Sequence, residues 1–461
     1  MLALRLTRAA HPAVQLRRLL VSAASAGTGF LLLCTLGHAM SNPAAPAASV
    51  LRLAWCAAPL VATVHFAVAV ARTDPGTRPR SGLSAIGLGP ARMMAVSATT
   101  TALSTVLGSM LALLFFLHLR GDITGMPFDG AAAAFLAAGT PLPLPAALTL
   151  LALVPAAACL SVALVLRPRD PRPAPRGGTR TGLGRFGRAG TRETFGAYGR
   201  FGSRLRRTAH GGSGRATATA DAGTLAAGTA LLPDEESTAQ EPDGTADPFS
   251  ALTPPADTDR PDPTAVLPWS VAVVAAGLAA EAYAVRTTTG GLAMPGGLAA
   301  GPVGVLVGWV LAAVGLALAG PGLTHLCGRL LQAVHPGAVR LLAGRVLMEE
   351  SARIGRPLGI VCAVASAAYA MAALQDPDTA PLGPLTALGY CLVAGCALAT
   401  LLTAAVETRQ ARAATTAALL RMGAPNTMLR GAAALRAGVL LAVFGPLTVL
   451  VAELAARPLG R

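Results

Sequence analysis

The sequence predicts an all-α polytopic membrane protein. It has about nine to ten transmembrane helices in two related halves, with a disordered cytoplasmic linker between them. Three observations carry this expectation. The chain is 53% hydrophobic and only 13% charged, with a mean hydropathy of +0.57. Several apolar runs approach the roughly 20 residues that a membrane-spanning helix needs. Two short basic interruptions, Arg72 to Met94 and Glu407 to Met428, sit between apolar runs in corresponding places of the two halves, and Gly89 aligns with Gly423 without gaps.

In chain order the spans read Leu19–Leu36, Leu53–Ala71, Met93–Leu117, Pro145–Leu166, Leu267–Val285, Val303–Leu318, Leu358–Leu374, Leu382–Val406 and Gly431–Ala452. Their apolar residues are mainly Ala, Leu, Val and Gly, which allow close backbone approach between helices in lipid. The first run lacks a clean small-residue cleavage site, so it reads as a retained helix rather than a signal peptide. The organisation is a first membrane half at 1–166, a linker at 167–266, a connecting helix pair at 267–330 and a second membrane half at 331–461. Nine spans leave the C-terminal tail opposite the N-terminus. A break at Gly445-Pro446 into a re-entrant hairpin would return it.

Every basic residue is an arginine. High Ala, Gly, Pro and Arg without Lys points to a GC-rich coding bias and an actinobacterial source. The net charge of +15 does not indicate nucleic acid, because the arginines alternate from loop to loop as the positive-inside rule requires. Arg5, Arg8, Arg17 and Arg18 precede the first span; Arg72, Arg78, Arg80 and Arg92 lie between the second and third; Arg409, Arg412, Arg421 and Arg430 lie between the eighth and ninth. The intervening loops are nearly free of arginine, and Arg120 is the exception after the third span. This places the N-terminus in the cytoplasm of a multi-pass protein of the cell membrane.

The linker carries thirteen arginines from Arg167 to Arg215, then ten acids from Asp221 to Asp262. With few large apolar residues it cannot bury enough surface to offset the entropy of ordering. Its basic half suits anionic membrane lipid. From Ala338 to Arg356 the pattern is that of an amphipathic surface helix leading into the seventh span. Val339, Leu342 and Val346 share one face, and Glu349 is spaced to pair with Arg345 and Arg353. The stretch Val14 to Leu20 takes the same place before the first span.

The chemistry is defined largely by what is missing. A Walker A phosphate loop ends in Lys followed by Ser or Thr, and this chain has no lysine. No HExxH motif is present. The seven cysteines include no CxxC pair, so they read as small buried hydrophobes rather than disulfide or metal ligands. No catalytic residue, cofactor site or metal site is expected. His65 and Glu281 are the ionisable residues available for a proton path, and each reads better as a packing residue.

The paired interruptions carry the functional signal. Each leaves a span with charge, offers helix-forming residues, turns at a glycine and enters the next span directly. Glu407-Thr408-Arg409 followed by Ala418-Leu419-Leu420-Arg421-Met422-Gly423-Ala424 resembles the FtsX-like permease family of ABC transporters. In the first-half copy Arg72 stands near the charged position, while Pro75, Pro79 and the Ile86-Gly87 pair depart from the pattern. The resemblance implies a permease subunit whose ATP and Mg are bound by a separate cytoplasmic ABC ATPase dimer. It assigns ATPase coupling to Arg72, Gly87, Gly89, Arg92, Glu407, Arg409, Arg421 and Gly423. Many members carry a large extracytoplasmic domain, whereas this chain has only short loops there. Export or membrane extraction of an amphipathic compound (an antimicrobial peptide, an antibiotic or a lipid) follows as the expected activity. Homodimerisation is compatible with the layout but not required. The alternative is an ATP-independent secondary transporter or a non-transport membrane interaction protein.

Because loop-closure entropy grows slowly with length, deletion of Gly177 to Thr258 is expected to leave insertion and folding intact. Size-exclusion chromatography and thermal melting in detergent check this. Loss of monodisperse, folded protein would show that the segment packs as a domain.

Overall fold

A computed structural model describes residues 12–73, 90–123, 130–133, 136–167, 264–287, 303–333, 337–374, 383–423 and 425–457. Among these residues the fold is all-α. The helices are α1 (Pro12–Ser41), α2 (Pro46–Trp55), α3 (Ala57–Thr73), α4 (Pro90–Arg120), α5 (Leu144–Leu166), α6 (Leu267–Thr287), α7 (Val303–Ala333), α8 (Ala338–Leu374), α9 (Pro384–Ala411), α10 (Ala413–Arg421) and α11 (Asn426–Ala456). Among the described residues nine segments are long and apolar enough to cross a membrane, with α2 and α3 together forming the second. This is the architecture of a multi-pass membrane protein. The linker, read from sequence as disordered, lies almost wholly outside the described residues.

Two expectations are corrected and one open alternative is decided. The amphipathic stretch from Ala338 is not a separate surface helix, because it continues without a break into the seventh span as α8. Pro357 sits inside that helix, and Gly355 and Gly359 on either side pack against α7, which offsets the lost backbone bond. The Val14 to Leu20 stretch is likewise part of α1. The last segment is a single helix, α11, that passes through Gly445-Pro446; no hairpin forms there.

Polar contacts between helices show one arrangement twice. In the first half, α1 and α4 run parallel and pack along their length; in the second, α8 and α11 do the same. Ser25 donates to the Thr105 carbonyl at 2.8 Å, and Ser366 donates to the Thr448 carbonyl at 3.0 Å. The first bond joins α1 to α4 and the second joins α8 to α11. The second spans of the two halves, α3 and α9, pack on each other, with Thr63 bonded to Thr28 of α1 at 2.9 Å and 3.9 Å from the Cys396 sulfur. Helix α5 fills the angle between α3 and α4, held by Ser109 donating to the Leu151 carbonyl at 3.2 Å. In lipid each such bond contributes only about 0.6 kcal/mol.

Close backbone contact does more. Helix α7 lies between α6 and α8, antiparallel to both. A Cβ on Gly277 of α6 would stand 2.7 Å from the Gly308 carbonyl oxygen, and a Cβ on Gly304 would stand 2.5 Å from the Ala284 Cβ. On the opposite side Gly320 and Gly355 meet backbone to backbone, and Gly328 meets Gly344. Any larger side chain at these positions forces the helices apart. At the far end, the buried Arg120 donates to the Ala137 and Thr140 carbonyls and pairs with Asp122 at 3.3 Å. That contact pins the 130–140 loop and accounts for an arginine on the arginine-poor side.

Gly355→Val is expected to lower the melting temperature in detergent, with a cost at or above the usual ~1–3 kcal/mol of overpacking. Gly395→Val on α9, where a Cβ meets nothing within 4 Å, is expected to be close to neutral in the same assay.

Candidate coupling site

Helix α10 joins α9 to α11. Ala413, Ala414, Ala417, Ala418, Leu419 and Leu420 favour helix, but nine residues are too few to be stable alone in water. None of its residues is buried, so its ends must hold it. The C-terminal end closes on Gly423, whose φ of +87° lies in the left-handed region. The Met422 and Gly423 amides donate to the Ala418 and Leu420 carbonyls, both at 3.1 Å. A Cβ on Gly423 would have open space, so conformation rather than crowding selects glycine. Leu420, Arg421 and Met422 are exposed beside it, Met422 at 74%.

The N-terminal end is fixed by charge. Arg412 stands at the corner between α9 and α10 and engages Glu350 of α8 with two guanidinium nitrogens, Nη2 to Oε2 at 2.9 Å and Nε to Oε1 at 2.5 Å. Such a fork pairs charge with fixed geometry. Glu350 is 9% exposed. Arg436, in the third turn of α11, also acts on Glu350, as does Arg353 of α8. Both flanks of α10 therefore converge on one buried carboxylate.

A second cluster joins the halves. Arg72, in the last turn of α3, lies within electrostatic reach of Glu407 on α9 and Arg356 on α8. His65 of α3 senses both Arg72 and Arg356. The two charged positions, one from each half, thus lie within electrostatic reach of each other where α3 packs on α9. Arg72, Arg92, Arg409 and Arg421 are exposed and Glu407 is half-buried. Gly87 and Gly89 lie outside the described residues; of the first-half positions Arg72 joins this cluster, while Arg92 is exposed in the first turn of α4.

Sequence reasoning missed Glu350, Arg412 and Arg436 as a unit. It placed Val339, Leu342 and Val346 on one face of α8; Val339 and Leu342 do pack, partly buried, against the core, and the buried stripe beside them is Ala343, Leu347 and Glu350. That stripe has the i, i+4, i+7 spacing of a helix face. It becomes visible once alanine counts as a packing residue and an acid is allowed to end the row. Glu349 pairs with Arg345 at 3.5 Å, both well exposed, as expected. Arg353 lies within electrostatic reach of Glu350.

Glu281 is completely buried between α6 and α7, and Trp309 Nε1 donates to its Oε1 at 2.9 Å. Gly308 packs against its Cβ. Its Oε2 is buried and has no hydrogen-bond partner among the described residues. The described cysteines are free thiols, and no group of His, Cys, Asp and Glu among the described residues is arranged to hold a metal. No family model, curated protein or solved structure matches the chain.

Removing Glu350 leaves Arg412 without its partner at the packed corner. Breaking a buried pair costs ~3–5 kcal/mol; with Arg412 29% exposed, Glu350→Ala is expected at the lower end. Replacing both partners in Glu350→Met/Arg412→Leu is expected to recover most of the loss. A double-mutant cycle on thermal melting measures the coupling, and additive losses would show the pair to be energetically idle.

Proposed function

We propose that this chain is the membrane-spanning permease subunit of an ABC transporter with an FtsX-like duplicated membrane domain. The observation that carries the reading is α10: a helix without a buried residue, held at both ends, presenting Leu420, Arg421 and Met422 between two spans. A helix of this kind suits a cleft on a cytoplasmic ATPase, with Arg421 making a charge-assisted contact there. The missing lysine requires another polypeptide to supply the nucleotide site. The duplicated packing of α1 with α4 and of α8 with α11 supports the same reading. In it, the arginine-rich end of the bundle faces the cytoplasm of the cell membrane.

Closure of an ATPase dimer would displace α10. The Arg412–Glu350 pair would pass that displacement to α8, and the Arg72–Glu407 neighbourhood would pass it to α3. The cargo is an amphipathic compound taken from the membrane, in keeping with short extracytoplasmic loops.

Arg421→Glu is expected to abolish capture of an ATPase subunit and its stimulated turnover, while thermal melting stays at the wild-type value. Arg345→Glu, an exposed residue of the α8 surface, is expected to change capture little, because surface pairs contribute about 0–1 kcal/mol. Gly423→Val is expected to impair coupling at a backbone cost of ~1–2 kcal/mol. Full ATPase association and transport in the Arg421→Glu protein would remove α10 as the transmission element. Transport driven by a proton gradient without ATP would overturn the class and favour a secondary transporter.

A further inference from the structure

The seam between α6 and α7 is built almost entirely from small residues. The buried residues of α6 are Ser270, Gly277, Glu281 and Ala284. Gly277 lies against Gly308 and Ala312 of α7, and Ala284 lies against Gly304. Glu281 stands between these contacts, about one turn from each, with its Cβ against Gly308. It is the one long side chain of that buried row, and it is 0% exposed. Shape alone would place an alanine there.

The carboxyl is satisfied on one side only. Trp309 Nε1 donates to Oε1 at 2.9 Å, while Oε2 is buried without a hydrogen-bond partner among the described residues. No cation offsets it. Helices α7 and α11 pack on α6. The ionisable groups of α7 are His325, Cys327 and Arg329, which follow Trp309 by more than four turns. Those of α11 are Arg430, Arg436, Glu453 and Arg457, and Glu453 accepts from Tyr369 of α8 at 3.1 Å. On α6 itself Tyr283 and Arg286 are exposed on other faces. No charged side chain among the described residues acts on the Glu281 carboxyl. In hydrocarbon a carboxylate without water or counterion is far costlier than the neutral acid. The neutral acid still offers Oε1 to the indole.

We propose that Glu281 is a proton-binding site: its carboxyl is carried as the neutral acid with the proton on Oε2, and that proton holds α6 against α7. Loss of the proton puts a charge into the glycine seam, and α6 has to move off α7 to let water or a cation reach it. Glu281 lies six residues before the end of α6 at Thr287, and α7 runs from there back to the start of α8. The site is therefore at the arginine-poor end of the bundle, opposite α10, and exchanges its proton with that side. A single site of this kind senses protons without conducting them, and it stands apart from the coupling role of α10.

The test uses the purified full chain in detergent, from mildly acid to mildly alkaline pH, beside Glu281→Gln. The amide is an uncharged isostere of the acid and keeps an oxygen for Trp309. Above the ordinary glutamate value of about 4.3 the folded wild type holds one proton more than the unfolded chain. Its stability therefore falls as pH rises, by up to about tenfold in the unfolding equilibrium per pH unit, until the folded protein also ionises. Glu281→Gln is expected to melt with the wild type at acid pH and increasingly above it at alkaline pH. Infrared spectroscopy at neutral pH is expected to show the carbonyl stretch of a protonated carboxyl in the wild type and to lose it in the variant. Hydrogen exchange compared at equal pH reads the helix pair. Amides of α6 are expected to exchange alike at acid pH and about tenfold faster in the wild type at alkaline pH. A melting gap that does not change with pH, a variant that no longer folds at acid pH, or an unchanged carboxyl band would overturn the proton site. Equal exchange of α6 at alkaline pH would overturn its hold on the helix pair.

Discussion

Everything in this fold depends on one constraint: in hydrocarbon there is no water to drive helices together, so they associate by the closeness of their contact. Helix α7 shows the consequence. Its Gly304 and Gly308 admit α6, and its Gly320 and Gly328 admit α8. Two different faces of one helix are thus made smooth enough for backbones to touch. The high glycine and alanine content is a requirement of this packing as much as a trace of coding bias. Hydroxyl bonds such as Ser25 to Thr105 and Ser366 to Thr448 then fix which helix face meets which. They add specificity where the dispersion contacts alone would tolerate rotation.

Ionisable side chains are buried at three places among the described residues. Glu281 sits at the α6–α7 contact with one neutral donor, Trp309, on Oε1 and no partner on Oε2 among those residues. Arg120 is buried against loop carbonyls and Asp122. Glu350 is clasped by Arg412 with Arg436 nearby. An unmatched charge at any of these places would meet neither water nor a counterion. In the first two cases the match ends locally, within one helix pair or one helix and its loop. Around Glu350 it reaches from α8 to α9, α10 and α11, so the same rule that protects the charge also joins four elements.

The class of fold was legible because membrane helices announce themselves by length and apolarity, and the arginine alternation followed from the same physics. Gly423 was legible too, since a helix stop followed at once by a new span calls for a left-handed turn. Less legible was where an element ends when sequence punctuation is overridden by tertiary contact. Pro321, Pro357 and Pro446 all lie inside helices. Pro321 and Pro357 sit beside the α7–α8 glycine contacts, which keep the chain helical through them. The candidate site was half legible. Arg72 and Glu407 could be named separately from their loops, but their meeting depends on α3 packing along α9, which no local pattern encodes. Arg412 looked like one of several loop arginines because its partner, Glu350, lies 62 residues away.

The two kinds of contact on α8 divide its work. Near its arginine-rich end it is attached to the corner between α9 and α10 by the two-point Arg412–Glu350 pair. Along its middle it is attached to α7 through Gly344, Gly355 and Gly359, where no side chain intervenes and packed surfaces do not deform continuously. A push delivered at α10 therefore cannot be absorbed between α8 and α7. In the proposed transporter it moves the two as one body and carries α6 with them, since α6 is joined to α7 by the same glycine contacts.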